Sequence, residues 1–393
     1  MSNKKNGKTA VLVIHGMGSQ FPMETANDFV NNIFHDEKVY SVPERITGFF
    51  DQRKLVAPLI DGKYDFYEYY WAHLISEPDT WSTINWLFSL LFWKNPSERM
   101  RPVRWYLRLG ILAILVAISI GVYLYYDKLF LNLFYYDSAI QLLIIGLPFL
   151  FIIAVKYLLR KLVFSFGDVI RYTVPHPKNI NNRQKISESA VNFLLGINSL
   201  DYDRIVVIGH SLGSIVAYEM LINAFNIFNS NSENHVSLSD EDVRKINDCK
   251  NANEVRNKMG EPSKWKVTDF VTCGSPLCHA EMLLVKDHEM FIDKIEKGEY
   301  PQCPPHNKEN IFYEKNNKYY IKHSSVFAFI NWNNLYFNND LIGGKLRKIF
   351  GEGIVDHKLK PKTSGIFTSH SNYWNRERES ESYSIIRNII ENK

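Results

Sequence analysis

Residues Asp203 to Ser214, DRIVVIGHSLGS, constrain the fold of this chain more than any other stretch. Arg204 to Ile208 is a short β-branched run of the kind that forms a buried strand. It breaks at Gly209, and from Leu212 onward LGSIVAYEMLINAF has the apolar spacing of a helix. Between them lies Gly209-His210-Ser211-Leu212-Gly213, a G-x-S-x-G element set between strand and helix. A serine on a sharp, strained turn presents its hydroxyl clear of a sheet, and the two flanking glycines let the chain pass close by. The helix that follows aims its first N–H groups, that of Leu212 among them, at charge developing beside the serine. The context predicts a nucleophile elbow with Ser211 at its tip; an ordinary glycine turn is the competing reading.

A second glycine turn comes near the start. Thr9 to Ile14 (TAVLVI) reads as a buried strand and runs into His15-Gly16-Met17-Gly18-Ser19-Gln20. This turn lacks the lysine of a P-loop and the G-x-G-x-x-G spacing of a dinucleotide site. An oxyanion loop fits better, with the Met17 N–H as a second donor; a plain strand-to-helix turn is the alternative.

The other elements alternate. Ala26 to Phe34 reads as a helix and the aromatic Tyr64 to Leu74 as a strand. Gly167 to Tyr172 and Gln184 to Ile197 look helical, the second leading into the elbow strand. Asn226 to Lys264 is polar and asparagine-rich, as a surface insertion would be. Lys266 to Cys273 and Val326 to Trp332 read as further strands, and Ser380 to Ile390 as a terminal helix. Strands alternating with helices predict an α/β fold with a doubly wound, mainly parallel sheet.

That pattern is interrupted. Leu109 to Tyr126 and Ser138 to Val155 are both free of charge, and each as a helix would be about 27 Å long. The connection, Asp127 to Asp137, is too short to be a domain. The expectation is a hairpin of two transmembrane helices at about 107–126 and 138–159, preceded by an interfacial tryptophan-rich segment, Trp81 to Trp93. Basic residues gather at the outer ends (Lys94, Arg99, Arg101, Arg104, Arg108; Lys156, Arg160, Lys161), and the connection carries only Lys128. This asymmetry places both termini and the globular parts on the cytosolic side. The expected organisation is a first globular part over 1–80, a membrane insertion over 81–165 and a second globular part over 166–393.

A net charge of +4 on 393 residues, with no basic and aromatic interleaving, argues against nucleic acid. Four cysteines are too few for a disulfide framework. Cys273, Cys278, His279, Cys303 and His306 form the one conceivable metal cluster, but no C-x-x-C pair occurs, so buried thiols in a reducing compartment are expected and no metal. The first strand begins at once, and its apolar run is too short for a signal peptide.

A serine nucleophile needs a base, and the base an orienting acid, in the order Ser, acid, His for this type of sheet. Asp340 follows the strand expected at Val326 to Trp332; Asp356, in IVDHKL, also satisfies the order. His370, in Thr368-Ser369-His370-Ser371-Asn372-Tyr373-Trp374, has the position expected of the base. His357 is a competitor, and His323 precedes the acid and breaks the order.

Together HGMGSQ, DRIVVIGHSLGS, TCGSPL, NNDLIGG and HSNYW resemble the α/β-hydrolase superfamily. Within it the chain is similar to lipase- and esterase-like serine hydrolases, including the group around GPI inositol deacylases. The resemblance runs from Thr9 to Trp374 and excludes the hairpin. It implies Ser211 as nucleophile, His370 as base, Asp340 as acid, and the Met17 and Leu212 N–H groups as oxyanion hole, with no cofactor. The expected activity is cleavage of a carboxylic ester, that of a lipid drawn from the bilayer. A thioesterase or acyltransferase using the same serine, or a catalytically idle membrane scaffold, are the alternatives.

Overall fold

The computed structural model describes residues 7–16, 21–35, 38–46, 53–57, 63–74, 91–92, 100–126, 150, 153, 157, 169–173, 177–230, 239–249, 251–259, 264–285, 287–304, 311–315, 318–360, 369–371, 373–376 and 380–392. Among the described residues the strands are β1 (Thr9–Ile14), β2 (Tyr40–Pro43), β3 (Arg53–Val56), β4 (Tyr64–Tyr69), β5 (Arg204–His210), β6 (Val267–Cys273), β7 (Phe312–Lys315), β8 (Lys318–Ile321), β9 (Asn331–Phe337) and β10 (Val355–Leu359). The longer helices are α1 (Glu24–Ile33), α2 (Met100–Tyr126), α3 (Pro177–Ser199), α4 (Leu212–Ser230) and α5 (Ser380–Glu391).

Eight strands form one sheet in the order β10-β9-β6-β5-β1-β4-β3-β2. From β10 to β4 every pairing is parallel; β3 and β2 close that edge antiparallel. β1 is buried along its whole length, as the unbroken apolar run TAVLVI requires of a strand covered on both faces. Its residues alternate in direction. Val11 and Val13, with Val206 and Ile208 of β5, join a core cluster with Ala26, Phe29, Val30 and Ile33 of α1 and Ile386 and Ile390 of α5. Ala10, Leu12, Ile205 and Val207, equally buried, point the other way, where α4 packs against β5 and α3. The result is an α/β sheet flanked by helices.

The path of the chain decides where a site can form. From β1 it moves to one side, through α1 and the β2–β3 pair, and returns to β4 beside β1. It re-enters through α3 as β5 on the other side of β1, then continues outward to β6, β9 and β10. The direction of winding therefore reverses at β1, and the loops leaving the carboxyl ends of β1 and β5 run on toward opposite edges of the sheet.

Several expectations need correction. The strand expected at Val326 to Trp332 begins instead as a 3-10 turn, His323–Ala328, and β9 starts only at Asn331. Val326, Phe327 and Ala328 are buried in the turn, and a short apolar run fits a buried turn as well as a strand. The strand expected to reach Leu74 stops at Tyr69, and Ala72–Leu74 is a 3-10 turn. The polar insertion is partly helical: α4 runs to Ser230, and Asp240–Asn247 and Ala252–Met259 form two short helices, the first closed by a capping box on Ser239.

The chain divides into two compact units: Met1–Ser76 with Pro175–Ala280 and Glu289–Lys393, and Glu77–Val174 with Glu281–His288. The sheet belongs to the first. In the second, α2 is 27 residues long and contains the first expected span. Among the described residues no helix is long and apolar enough to cross a membrane, so the hairpin expected from the sequence is unsupported there. Most of the second expected span, its connection and Trp81, Trp86 and Trp93 lie outside the described residues.

Candidate active site

β5 ends at His210, and the chain turns at once into α4, whose first residue is Leu212. The residue between them, Ser211, has φ 53°, a left-handed conformation that a side chain adopts only under constraint. The constraint is visible. The Ser211 N–H donates to the Cys273 carbonyl at 2.9 Å, and the Ser211 carbonyl accepts from the Ser214 N–H at 2.9 Å and from its hydroxyl at 2.5 Å. The Ser275 hydroxyl bonds Ser214 Oγ at 2.6 Å and itself accepts from the Leu277 N–H, so a chain of hydroxyls stands behind the turn.

The motif glycines serve close approach. A Cβ on Gly209 would lie 2.6 Å from Ser214 Cα, and one on Gly213 would lie 2.3 Å from the His15 carbonyl oxygen. The start of α4 is thus pressed against both its own strand and the end of β1. Leu212, fully buried, opens α4, and its N–H is one of the four that a helix start leaves without an intrahelical partner.

His370 lies on a 3-10 turn, Ser369–Ser371, before α5. Its Nε2 is 2.8 Å from Ser211 Oγ and its Nδ1 is 2.9 Å from Asp340 Oδ2. Asp340 lies three residues beyond the carboxyl end of β9 and is buried. Its Oδ1 accepts the Ile342 N–H at 2.9 Å, and its Oδ2 also accepts the Tyr373 hydroxyl at 2.7 Å. Burial alone would raise this carboxyl, but the His370 imidazole, the bonds from His370 and Tyr373 and the Ile342 N–H outweigh it and hold it at about 2. An ionised carboxylate only accepts, so Nδ1 carries the proton and the Nε2 lone pair faces the serine hydroxyl.

The two other motif histidines have supporting places. His15, buried after β1, donates from Nδ1 to the Gly16 carbonyl at 2.8 Å, and its Nε2 accepts the Trp71 N–H at 3.1 Å. Its ring stacks on Trp71 at 4.9 Å, and burial pushes it down to about 4, so it is neutral. It ties the loop after β1 to the end of β4. His210 donates from Nε2 to the His370 carbonyl at 2.8 Å, and burial and the neighbouring His370 push it down to about 4. It holds the backbone of the His370 turn. Gly16 abuts Ser211 itself, and Met17 lies outside the described residues.

The rivals are elsewhere. Asp356 on β10 accepts from Asn334 Nδ2 at 2.7 Å and from the Leu346 and Arg347 N–H groups, closing the start of a short helix. His357 bonds Asn333 Oδ1 at 2.9 Å, and burial lowers its pKa. His323 precedes the amino end of β9, whereas Asp340 follows its carboxyl end. The structure thus brings Ser211, His370 and Asp340 together and leaves Asp356, His357 and His323 out.

Sequence reasoning missed Tyr373, Ser214, Ser275 and Trp71. The first lies inside the HSNYW stretch, where a tyrosine three residues after the histidine was the available signal. The serines had none, because hydroxyls behind a turn leave no pattern. Among the described residues no group of acidic, histidine and cysteine side chains could hold a metal ion. Compared with family models, curated proteins and solved structures, the chain matches none.

Proposed function

We propose that the chain is a serine hydrolase of the α/β-hydrolase type, cleaving a carboxylic ester. The observation that carries this reading is the continuous line from Ser211 Oγ through His370 to Asp340, at 2.8 and 2.9 Å, with the serine on a left-handed turn. His370 Nε2 takes the hydroxyl proton as Ser211 Oγ attacks the acyl carbonyl carbon. The C=O π pair moves to oxygen, facing the Leu212 N–H and, on the sequence reading, that of Met17. Each such donor is worth about 3–4 kcal/mol in the transition state. Nε2–H then protonates the departing alkoxide, leaving an acyl group on Ser211. Water, deprotonated by the same Nε2, releases the acid and restores the serine. Asp340 stays ionised and stabilises the imidazolium.

A membrane lipid as substrate is the second part of the proposal. Its support is the uncharged run from Leu109 to Tyr126 on α2, along which Leu112, Leu115 and Ile118 are each more than half exposed. Exposed leucines on a helix of about 40 Å favour attachment to a bilayer, and the basic residues gathered outside the two uncharged runs favour a cytosolic remainder. An ester drawn from that bilayer avoids about 0.8 kcal/mol per CH₂ of transfer into water.

Labelling by a fluorophosphonate tests the chemistry. Wild-type protein should be labelled at Ser211, and Ser211→Ala should not. Wild-type protein that resists labelling and turns over no ester would remove the reading.

A further inference from the structure

Asp340 Oδ2 accepts the His370 Nδ1–H at 2.9 Å and the Tyr373 hydroxyl at 2.7 Å. The catalytic proposal uses the first and has no role for the second. Tyr373 is 1% exposed, and its ring packs on Phe337 at 4.7 Å. It reaches the carboxylate because residue 274 is glycine: with φ 61°, a Cβ there would stand 2.5 Å from Tyr373 Cε2. The Tyr373 oxygen accepts the Phe337 N–H at 3.3 Å, which leaves its own proton to Asp340. Burial, with Asp340 beside it, keeps that phenol protonated. The bond is thus built from three elements, and its proton stays in place throughout the working pH range.

Two donors on one carboxylate oxygen compete for the same electron density. Each weakens the hold of that oxygen on the other donor. A carboxylate already stabilised by a phenol gains less from an adjacent imidazolium, so the imidazole loses its proton more readily. We propose that Tyr373 is a positioning residue that lowers the basicity of His370 by sharing Asp340 Oδ2, while locking the carboxylate plane toward Nδ1. This rests on reading Ser211, His370 and Asp340 as a catalytic triad. A lower basicity keeps Nε2 free to accept the serine proton at more acidic pH, and makes the imidazolium a stronger acid toward the leaving group.

Among the described residues, four other groups near His370 or Tyr373 are neutral. His210, its ring 5.3 Å from that of His370, is neutral, as is His15. Cys273, close to Tyr373, has its thiol pushed up by burial and carries no charge. Ser211 is neutral. Asp340 is therefore the one charge facing His370 among these groups, and Tyr373 is the group that tempers it.

The test reads His370 directly, by ¹⁵N and ¹H NMR titration of selectively labelled imidazole, beside the acid limb of kcat/KM for p-nitrophenyl acetate. Tyr373→Phe should raise the titration point of His370 by roughly 0.5–1 pH unit, the scale of one lost charge-assisted bond felt through a shared oxygen. The acid limb should move up with it. Replacing Tyr373 by 3-fluorotyrosine, a stronger donor that keeps the hydroxyl, should move both downward. It carries the test with opposite sign should Tyr373→Phe fail to fold. An unmoved or lowered His370 in Tyr373→Phe, or a raised one in the fluorotyrosine protein, overturns the proposal. Loss of kcat with an unmoved limb would mark Tyr373 as structural only, and overturns it as well. Wild-type protein with no esterase activity would defeat the hydrolase reading, while the NMR titration would still decide the role of Tyr373.

Discussion

A Cβ on Gly16 would stand 2.8 Å from Ser211 Cβ and 3.2 Å from the His210 carbonyl oxygen. The loop after β1 and the turn after β5 therefore touch at these two residues, across the point where the sheet reverses its winding. Gly16→Ala should cost about 1–3 kcal/mol of stability through overpacking. It should also slow fluorophosphonate labelling of Ser211 at least tenfold in protein that remains folded by circular dichroism. Labelling at the wild-type rate would show that the two loops are not coupled.

The left-handed backbone at Ser211 is itself a prediction about stability. A residue with a side chain held at φ 53° is strained by about 1–2 kcal/mol, and glycine there is not. Against this, glycine loses about 0.4–1 kcal/mol by loosening the unfolded chain. Ser211→Gly should melt at or slightly above the wild-type temperature while losing all turnover. A fall of several degrees in calorimetry would mean that the turn is relaxed.

The two acids near the sheet end should separate cleanly. Asp340→Asn should lower turnover by several orders of magnitude, because the amide no longer holds the Nδ1–H tautomer. Asp356→Asn should leave the catalytic constant of the folded fraction nearly unchanged and cost about 1 kcal/mol, since its carboxylate serves N–H groups at a helix start. Steady-state kinetics beside thermal melts on both variants would reveal the reverse order.

Asp340 also sets a term in acid stability. Its carboxyl is held at about 2, below the ordinary 3.8. A group depressed in the folded state contributes fully above its unfolded value and loses that contribution as pH falls toward the folded one. The contribution, about 2 kcal/mol, should be present above about pH 4 and be lost as pH falls through about 2. Urea unfolding of Asp340→Asn and wild type should differ in slope against pH only within that window.

Glu68 behaves oppositely. It is buried on β4 and its Oε2 accepts the Ala26 N–H at 3.2 Å in the first turn of α1. Burial raises its carboxyl from 4.5 to about 7. The folded state then binds the proton more tightly than the unfolded state, so stability falls as pH rises from about 4.5 to 7. Glu68→Gln should equal wild type near pH 4.5 and exceed it by up to about 3 kcal/mol at pH 8. Parallel urea curves at the two pH values would expose any failure of this sign.

Much of the site was legible in order along the chain. The β-branched run ending at Gly209, the small residues around Ser211 and the apolar spacing after Leu212 specify strand, turn and helix locally, because glycine and β-branched preferences act within a few residues. The candidate His370 was legible for a different reason, from the chain order of serine, acid and histidine and its place before the last helix. The strand before Asp340 was not. VFAFINW is apolar enough for a strand, but Val326, Phe327 and Ala328 turn inward, Phe327 stacking on Tyr218 at 5.4 Å, and the ladder to β6 begins only at Asn331.

The sequence by itself determined the strand–turn–helix around Ser211 and the buried strand Thr9–Ile14. These are local choices of backbone conformation and burial. Only the tertiary structure decided between Asp340 and Asp356, since both follow Ser211 and precede His370 and they differ in which hydrogen bonds reach them. It also decided that His15 and His210 are neutral supports and that Tyr373 shares the carboxylate. Contacts among residues 15, 71, 211, 340, 370 and 373 form when β1, β4, β5 and β9 are laid side by side. No periodicity records them, because hydrogen bonds across a sheet depend on strand order rather than on separation along the chain.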